Sequence, residues 1–111
     1  MSAVGEKLIN EIREVARLHP DRTDETSRYV VDGQPQCLVG HALLRLHGGA
    51  EFICRLQENC SLMFDRLVDS HALPELHGIS GDETMWVNRV QKAQDLANTW
   101  AAVVAHADGW S

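Results

Sequence analysis

The sequence predicts a mainly all-α fold: a compact single domain over residues 1–111, with about five helices and a short β-hairpin or extended loop near residues 28–36. Three observations predict it. Apolar residues recur at helical spacing at both ends of the chain. Between those ends, Pro and Gly cut the sequence into helix-length pieces. The one β-like fragment, Tyr29-Val30-Val31, is too short to found a sheet that could stand alone.

Ser2 is placed to cap a first helix over residues 3–18. Val4, Leu8, Ile12 and Val15 form one apolar stripe, and Glu6, Lys7, Glu11, Arg13, Glu14 and Arg17 fall mostly on the other face. Glu14 has a basic residue, Arg17, three positions away, close enough to pair along the helix. His19-Pro20 ends the helix, because the residue before proline avoids helical angles. Residues 21–36 are polar and broken. Asp32-Gly33 is a turn dipeptide and Pro35 keeps any second strand short.

"CLVGHALLRLHGG", residues 37–49, predicts a helix over 37–46 stopped by Gly48-Gly49. Leu38, Val39, Ala42, Leu43, Leu44 and Leu46 make it apolar nearly all round, which marks a helix central to its domain. Gly40 costs about 1 kcal/mol relative to alanine inside a helix, and close approach by a neighbouring helix would compensate. Phe52, Ile53 and Leu56 offer a further short helical face. Ser61 is placed to cap the next helix, with Leu62, Phe64, Leu67 and Val68, which Pro74 closes. Ser80 and Glu83 have capping-box spacing, so a helix starts near Asp82. From there Trp86, Val90, Ala93, Ala97, Trp100, Val104 and Ala107 alternate steps of four and three. That seam fits one long helix or two consecutive ones that share a direction, with Asn98-Thr99 able to cap the second. It is short and alanine-rich for an intermolecular coiled coil, so an internal core face is the favoured reading.

The bulk properties exclude several classes of function. The formal charge is −6, and residues 50–85 hold Glu51, Glu58, Asp65, Asp69, Glu75, Asp82 and Glu83 against only Arg55 and Arg66. No cluster of Lys and Arg exists to displace counterions from phosphates, so no nucleic-acid partner is expected. No run of about 18 apolar residues suggests a membrane span, and the charged amphipathic N-terminus does not resemble an export signal. A cytoplasmic protein is the expectation. Cys37, Cys54 and Cys60 are odd in number and widely spaced, which fits buried thiols packed as small hydrophobes better than a disulfide framework.

Candidate chemistry centres on Cys37 and His41, four residues apart and so on one helix face. As a metal site they lack two further ligands at familiar spacing; His41–His47, Cys54–Cys60 and His71–His77 all have five intervening residues. As a nucleophile–base pair, Cys37 would gain from the helix N-terminus. The competing account packs Cys37 in the core. Asp65 and Asp69 share a helix face and, with Glu75, belong to the acidic segment that a partner could read. Trp86 and Trp100 lie in the seam and should be core, whereas Trp110 follows Asp108-Gly109 and is a candidate partner contact. Gln91, Gln94 and Asp95 are structural polar candidates. Gln91 can pair with Asp95 along the helix, and the group could hold the loop before Cys37.

Two segments, "DGQPQCLVGHALLRLHG" (32–48) and "WVNRVQKAQDLANTWAAVVAHAD" (86–108), together resemble a family of short uncharacterised proteins from actinobacteria and their phages. The residues that carry the resemblance are Cys37, Val39, Gly40, Ala42, Leu43, Val90, Gln91, Gln94, Asp95 and Trp100. Many such relatives have a glycine between the Gln-Asp pair and the Trp; here Leu96-Ala97-Asn98-Thr99 stands in its place. The resemblance implies an origin in phage or prophage but no agreed activity. The expectation is therefore a small intracellular interaction or regulatory accessory protein that binds a host protein, as a monomer or homodimer, without a cofactor. The alternative is a small metal-binding or cysteine-dependent enzyme centred on Cys37 and His41.

Overall fold

The computed structural model describes residues 2–24, 28–94, 96 and 98–109. Six α-helices carry the described chain: α1 (Ala3–Leu18), α2 (Leu38–Leu46), α3 (Ala50–Glu58), α4 (Phe64–Asp69), α5 (Gly81–Gln94) and α6 (Trp100–Gly109). A two-stranded hairpin, β1 (Val30–Val31) and β2 (Gln34–Pro35), precedes α2, and a 3-10 turn spans Pro74–Leu76.

In α1 the predicted stripe is buried at Leu8, Ile12 and Val15, and Ile9 and Ala16 widen it. Ser2 caps this helix, accepting from the Gly5 N–H at 3.0 Å. Glu14 pairs with Arg17 at 2.5 Å on the outer face. The hairpin turns on Asp32 and Gly33, at φ 53° and 78°, the two left-handed residues a tight type I′ turn requires. Val30 pairs with Pro35 and Val31 with Gln34, so the second strand is as short as Pro35 demands.

Helix α2 lies at the centre, with Leu38, Val39, Gly40, Ala42 and Leu43 all buried and Leu44 and Leu46 partly so. Gly40 is close-packed as its sequence implies, but an extended segment approaches it, not a helix. A β-carbon there would lie 2.2 Å from the Tyr29 carbonyl oxygen. Helix α4 also differs from expectation at its start: Met63 is the N-cap, and Ser61 is not. Two side chains of α5 do the capping. Gln91 Oε1 accepts from the Phe64 N–H at 2.7 Å, and Asn88 Oδ1 from the Asp65 N–H at 3.0 Å.

The C-terminal seam resolves into two helices. Helix α5 ends at Gln94 and α6 begins at Trp100. The Asn98 amide donates to the Ala93 carbonyl at 2.8 Å, and Thr99 Oγ1 accepts from the Ala102 N–H at 3.3 Å. The two helices do not share a direction, as the seam suggested, but fold back on each other, since the same apolar spacing serves two antiparallel arms: Trp86, near the start of α5, donates its indole N–H to Asp108, near the end of α6, at 3.2 Å. The seam therefore faces inward from both arms, burying Trp86, Val90, Ala93, Trp100 and Ala107, with Val103 buried ahead of Val104. Ala97 lies outside the described residues.

Candidate functional site

The Cys37–His41 stretch sits where α2, α6 and the loop after α1 converge. That loop satisfies the first amides of α6: Trp100 N–H donates to the Arg22 carbonyl at 2.8 Å and Ala101 N–H to the Pro20 carbonyl at 3.1 Å. Two residues on, Asp24 ties both helices with one oxygen. Its Oδ1 accepts from the Trp100 indole N–H at 2.7 Å and from the Leu38 N–H at 3.1 Å. The Trp100 ring, fully buried, is then surrounded by cationic or titratable groups. The Arg22 guanidinium lies 5.0 Å from its centroid, the His41 ring 5.0 Å away edge-on, and the His19 ring 6.3 Å away.

Within this knot Cys37 is fully buried and serves as the N-cap of α2, its Sγ accepting from the Gly40 N–H at 3.3 Å. Burial pushes its thiol up to about 12, and the Asp24 carboxylate adds to the rise; the Gly40 and Gln94 contacts only partly oppose it. Burial likewise brings His41 down to about 4, helped by the positive charge of Arg22 and by His19. The two groups a thiol–imidazole catalyst needs as thiolate and base are thus each held neutral, with the sulfur sealed from solvent. The geometry makes Cys37 a helix cap in the core. Among the described residues no three His, Cys, Asp or Glu side chains gather in a metal-binding arrangement, so the Cys37–His41 alternative finds no third ligand there.

The structural polar candidates divide. Gln91 does hold the segment before Cys37, donating to the Tyr29 hydroxyl at 2.6 Å while its oxygen caps α4. Gln94 is 1% exposed and lies against the Cys37 sulfur, with neither amide atom at hydrogen-bond distance from a conventional partner. Asp95 lies outside the described residues, as does Trp110.

The acidic candidates are scattered in role. Asp65 is half-buried and its Oδ1 accepts from the neighbouring Arg66 N–H at 2.9 Å, in the first turn of α4. Asp69 is exposed. Glu75 is paired with Arg55 at 2.8 Å, which joins the 3-10 turn to α3. Glu83 is internal. Its Oε1 accepts from the Ser80 N–H at 3.0 Å, completing the capping box, and also from the Ser2 N–H and hydroxyl at 3.2 and 2.6 Å. Of the cysteines, only Cys37 is buried; Cys54 is exposed on α3 and Cys60 half-buried, which corrects the expectation of three core thiols.

Helix α3 presents an open surface on its outer side. Ala50, Ile53, Cys54, Gln57 and Glu58 line a shallow depression of about 580 Å³ along its outer side. The positions 50, 53, 54 and 57 form one helical stripe. Glu51, whose side chain is 88% exposed, and Glu58 bring negative charge beside it. Sequence reasoning grouped these acids by segment; it missed Asp24, Asn88 and Tyr29, whose roles depend on partners far along the chain. No protein-family model matches the chain, and no curated protein or solved structure does so either. No helix among the described residues is long and apolar enough to cross a membrane.

Proposed function

We propose that this chain is a small interaction or regulatory accessory protein of phage or prophage origin, acting in the cytoplasm of a bacterial host by binding a host protein. The observation that carries the reading is the outer stripe of α3, where Ala50, Ile53 and Cys54 lie in an open depression beside Glu51 and Glu58. An apolar strip bordered by one sign of charge suits a partner with a basic rim around an apolar contact. Ile53 packs partly on the core and leaves part of its surface available. The motif resemblance supports the origin, and the acidic balance of residues 50–85 supports a basic partner surface.

Capture from an actinobacterial lysate tests the proposal. The wild-type chain should retain one specific protein at near-stoichiometric level, and retention should fall with added salt. The double substitution Glu51→Lys, Glu58→Lys should abolish it while leaving the circular dichroism spectrum unchanged. Recovery of nothing above background across a range of salt, or equal recovery by the double variant, would count against α3 as the docking face.

A further inference from the structure

His71 and His77 are six positions apart, a spacing that does not share a helix face, and no strand joins them, yet the intervening turn brings their rings together. The centroids are 5.9 Å apart and the planes are inclined at 76°. The backbone shows how. Helix α4 ends at Asp69, and His71 takes φ 56°, a left-handed conformation uncommon for a residue with a β-carbon. The 3-10 turn follows, closed by the His77 N–H on the Pro74 carbonyl at 3.0 Å, and Gly78 at φ 90° turns the chain away again. Both imidazoles are exposed. They border an open depression of about 360 Å³ whose remaining lining, Val68, Leu73, Leu76, Gly78 and Ile79, is apolar apart from backbone.

We propose that His71 and His77 form a two-histidine site for a borderline divalent transition cation such as Zn²⁺, Ni²⁺ or Cu²⁺. Imidazole suits these ions, whereas Ca²⁺ and Mg²⁺ take oxygen ligands. A ring nitrogen about 2.0–2.1 Å from the ion puts each ring centre about 3.2 Å from it, so two rings on one ion have centres roughly 5–6.5 Å apart. The observed 5.9 Å lies inside that range, and exposed side chains can make the final adjustment without moving the backbone. The apolar floor limits competing hydration on one side of the ion. No third His, Cys, Asp or Glu joins the pair among the described residues, so the other coordination positions fall to water or to a donor from outside the chain. This site is independent of the α3 face.

The test is direct titration of the full chain with each metal chloride by calorimetry, with Cu²⁺-induced broadening of imidazole resonances to locate the ion. About one equivalent should bind at micromolar concentration, with broadening centred on His71 and His77. His71→Asn keeps a residue that tolerates the left-handed region; it and His77→Gln should each weaken binding roughly tenfold or more. His106→Gln should leave binding unchanged. Unaltered affinity in the His71 and His77 variants, broadening centred on other histidines, or no binding below millimolar metal would each overturn the assignment.

Discussion

Two carboxylates, Glu83 and Asp24, each hold two helices together, and they do so by opposite routes. Glu83 sits at the start of α5 and joins that helix end to the start of α1, through the amides of Ser80 and Ser2 and the Ser2 hydroxyl. Asp24 sits in an irregular loop and joins the start of α2 to a buried indole of α6. Half of the Glu83 clasp is local, three residues along the chain. The Asp24 clasp is entirely remote, acting across 14 and 76 positions. The local one announces itself in sequence as a capping box; the remote one looks like one more acid in a polar stretch. The centre of the molecule is therefore organised by the residue with the weaker sequence signal.

The largest effect should come from the indole that Asp24 holds. Trp100 is fully buried, and Trp100→Ala should cost about 3–5 kcal/mol in chemical denaturation. Trp100→Phe keeps most of the packing and loses the N–H donor, so its cost should be smaller by roughly half. Equal costs for the two would mean that packing alone matters little and that the Asp24 bond dominates.

Next in size is Asp24 itself. Asp24→Ala strips an acceptor from the Leu38 amide and the Trp100 indole and should cost about 2–3 kcal/mol, while Asp24→Asn keeps one acceptor oxygen and should cost less. In a double-mutant cycle Asp24→Ala and Trp100→Phe should fall well short of additive, because both break the same bond. Additivity would separate the two residues and leave Asp24 acting only on α2.

Glu83 should be comparable or slightly smaller, about 2 kcal/mol for Glu83→Ala, as the loss of a cap that serves two helix ends. Its pH behaviour makes it distinguishable. Burial raises its pKa, but the Ser2 and Ser80 hydrogen bonds outweigh burial and bring the group from the ordinary 4.5 to about 2. A folded-state pKa below the unfolded value means that the unfolded chain takes up the proton first. The stabilisation is thus complete above about 4.5 and disappears as pH falls toward 2. His41 acts in a higher window with the same sign: neutral in the fold down to about 4 but protonated near 6.5 when unfolded, it lowers stability as pH drops from 6.5 to 4. Urea midpoints measured across this range should show two separable declines. Glu83→Gln should flatten the lower one and His41→Phe the upper one; a decline unchanged by its own variant would refute that assignment.

Where sequence periodicity met a local rule, the fold was legible. The α1 stripe, the Asp32-Gly33 turn and the Ser80–Glu83 box all depend on residues within a few positions of one another, and all three occur. The cap of α4 was not legible, because Asn88 and Gln91 supply it from more than twenty residues away, which left Ser61 as the only local candidate. The C-terminal seam was legible as a buried surface but not as a fold-back, since the same apolar spacing serves a straight rod and two antiparallel arms. The candidate site was half legible. The pattern of residues 37–46 marked a central helix, but the neutrality of Cys37 and His41 comes from burial and from Asp24, Arg22 and His19, groups that no spacing rule links to them.

The smallest predicted effect separates the two halves of the Glu83 clasp. Gly5 has a backbone conformation that any residue can adopt, yet a β-carbon there would lie 2.1 Å from the Glu83 carboxyl carbon. The obstacle is the far end of a flexible side chain, so Gly5→Ala should be absorbed by displacing that carboxylate from Ser2. In a helix interior alanine is itself favoured over glycine by about 1 kcal/mol, which offsets part of the loss. The net cost should be about 1 kcal/mol or less, far below that of removing the carboxylate. Its signature lies in coupling. In the Glu83→Ala background the clash is gone and Gly5→Ala should become stabilising, because only the helix preference remains. If Gly5→Ala instead destabilised both backgrounds equally, the α1–α5 contact would not run through this carboxylate. The capping box would then be a local device like any other, and the contrast with Asp24 would widen to purely local against purely remote.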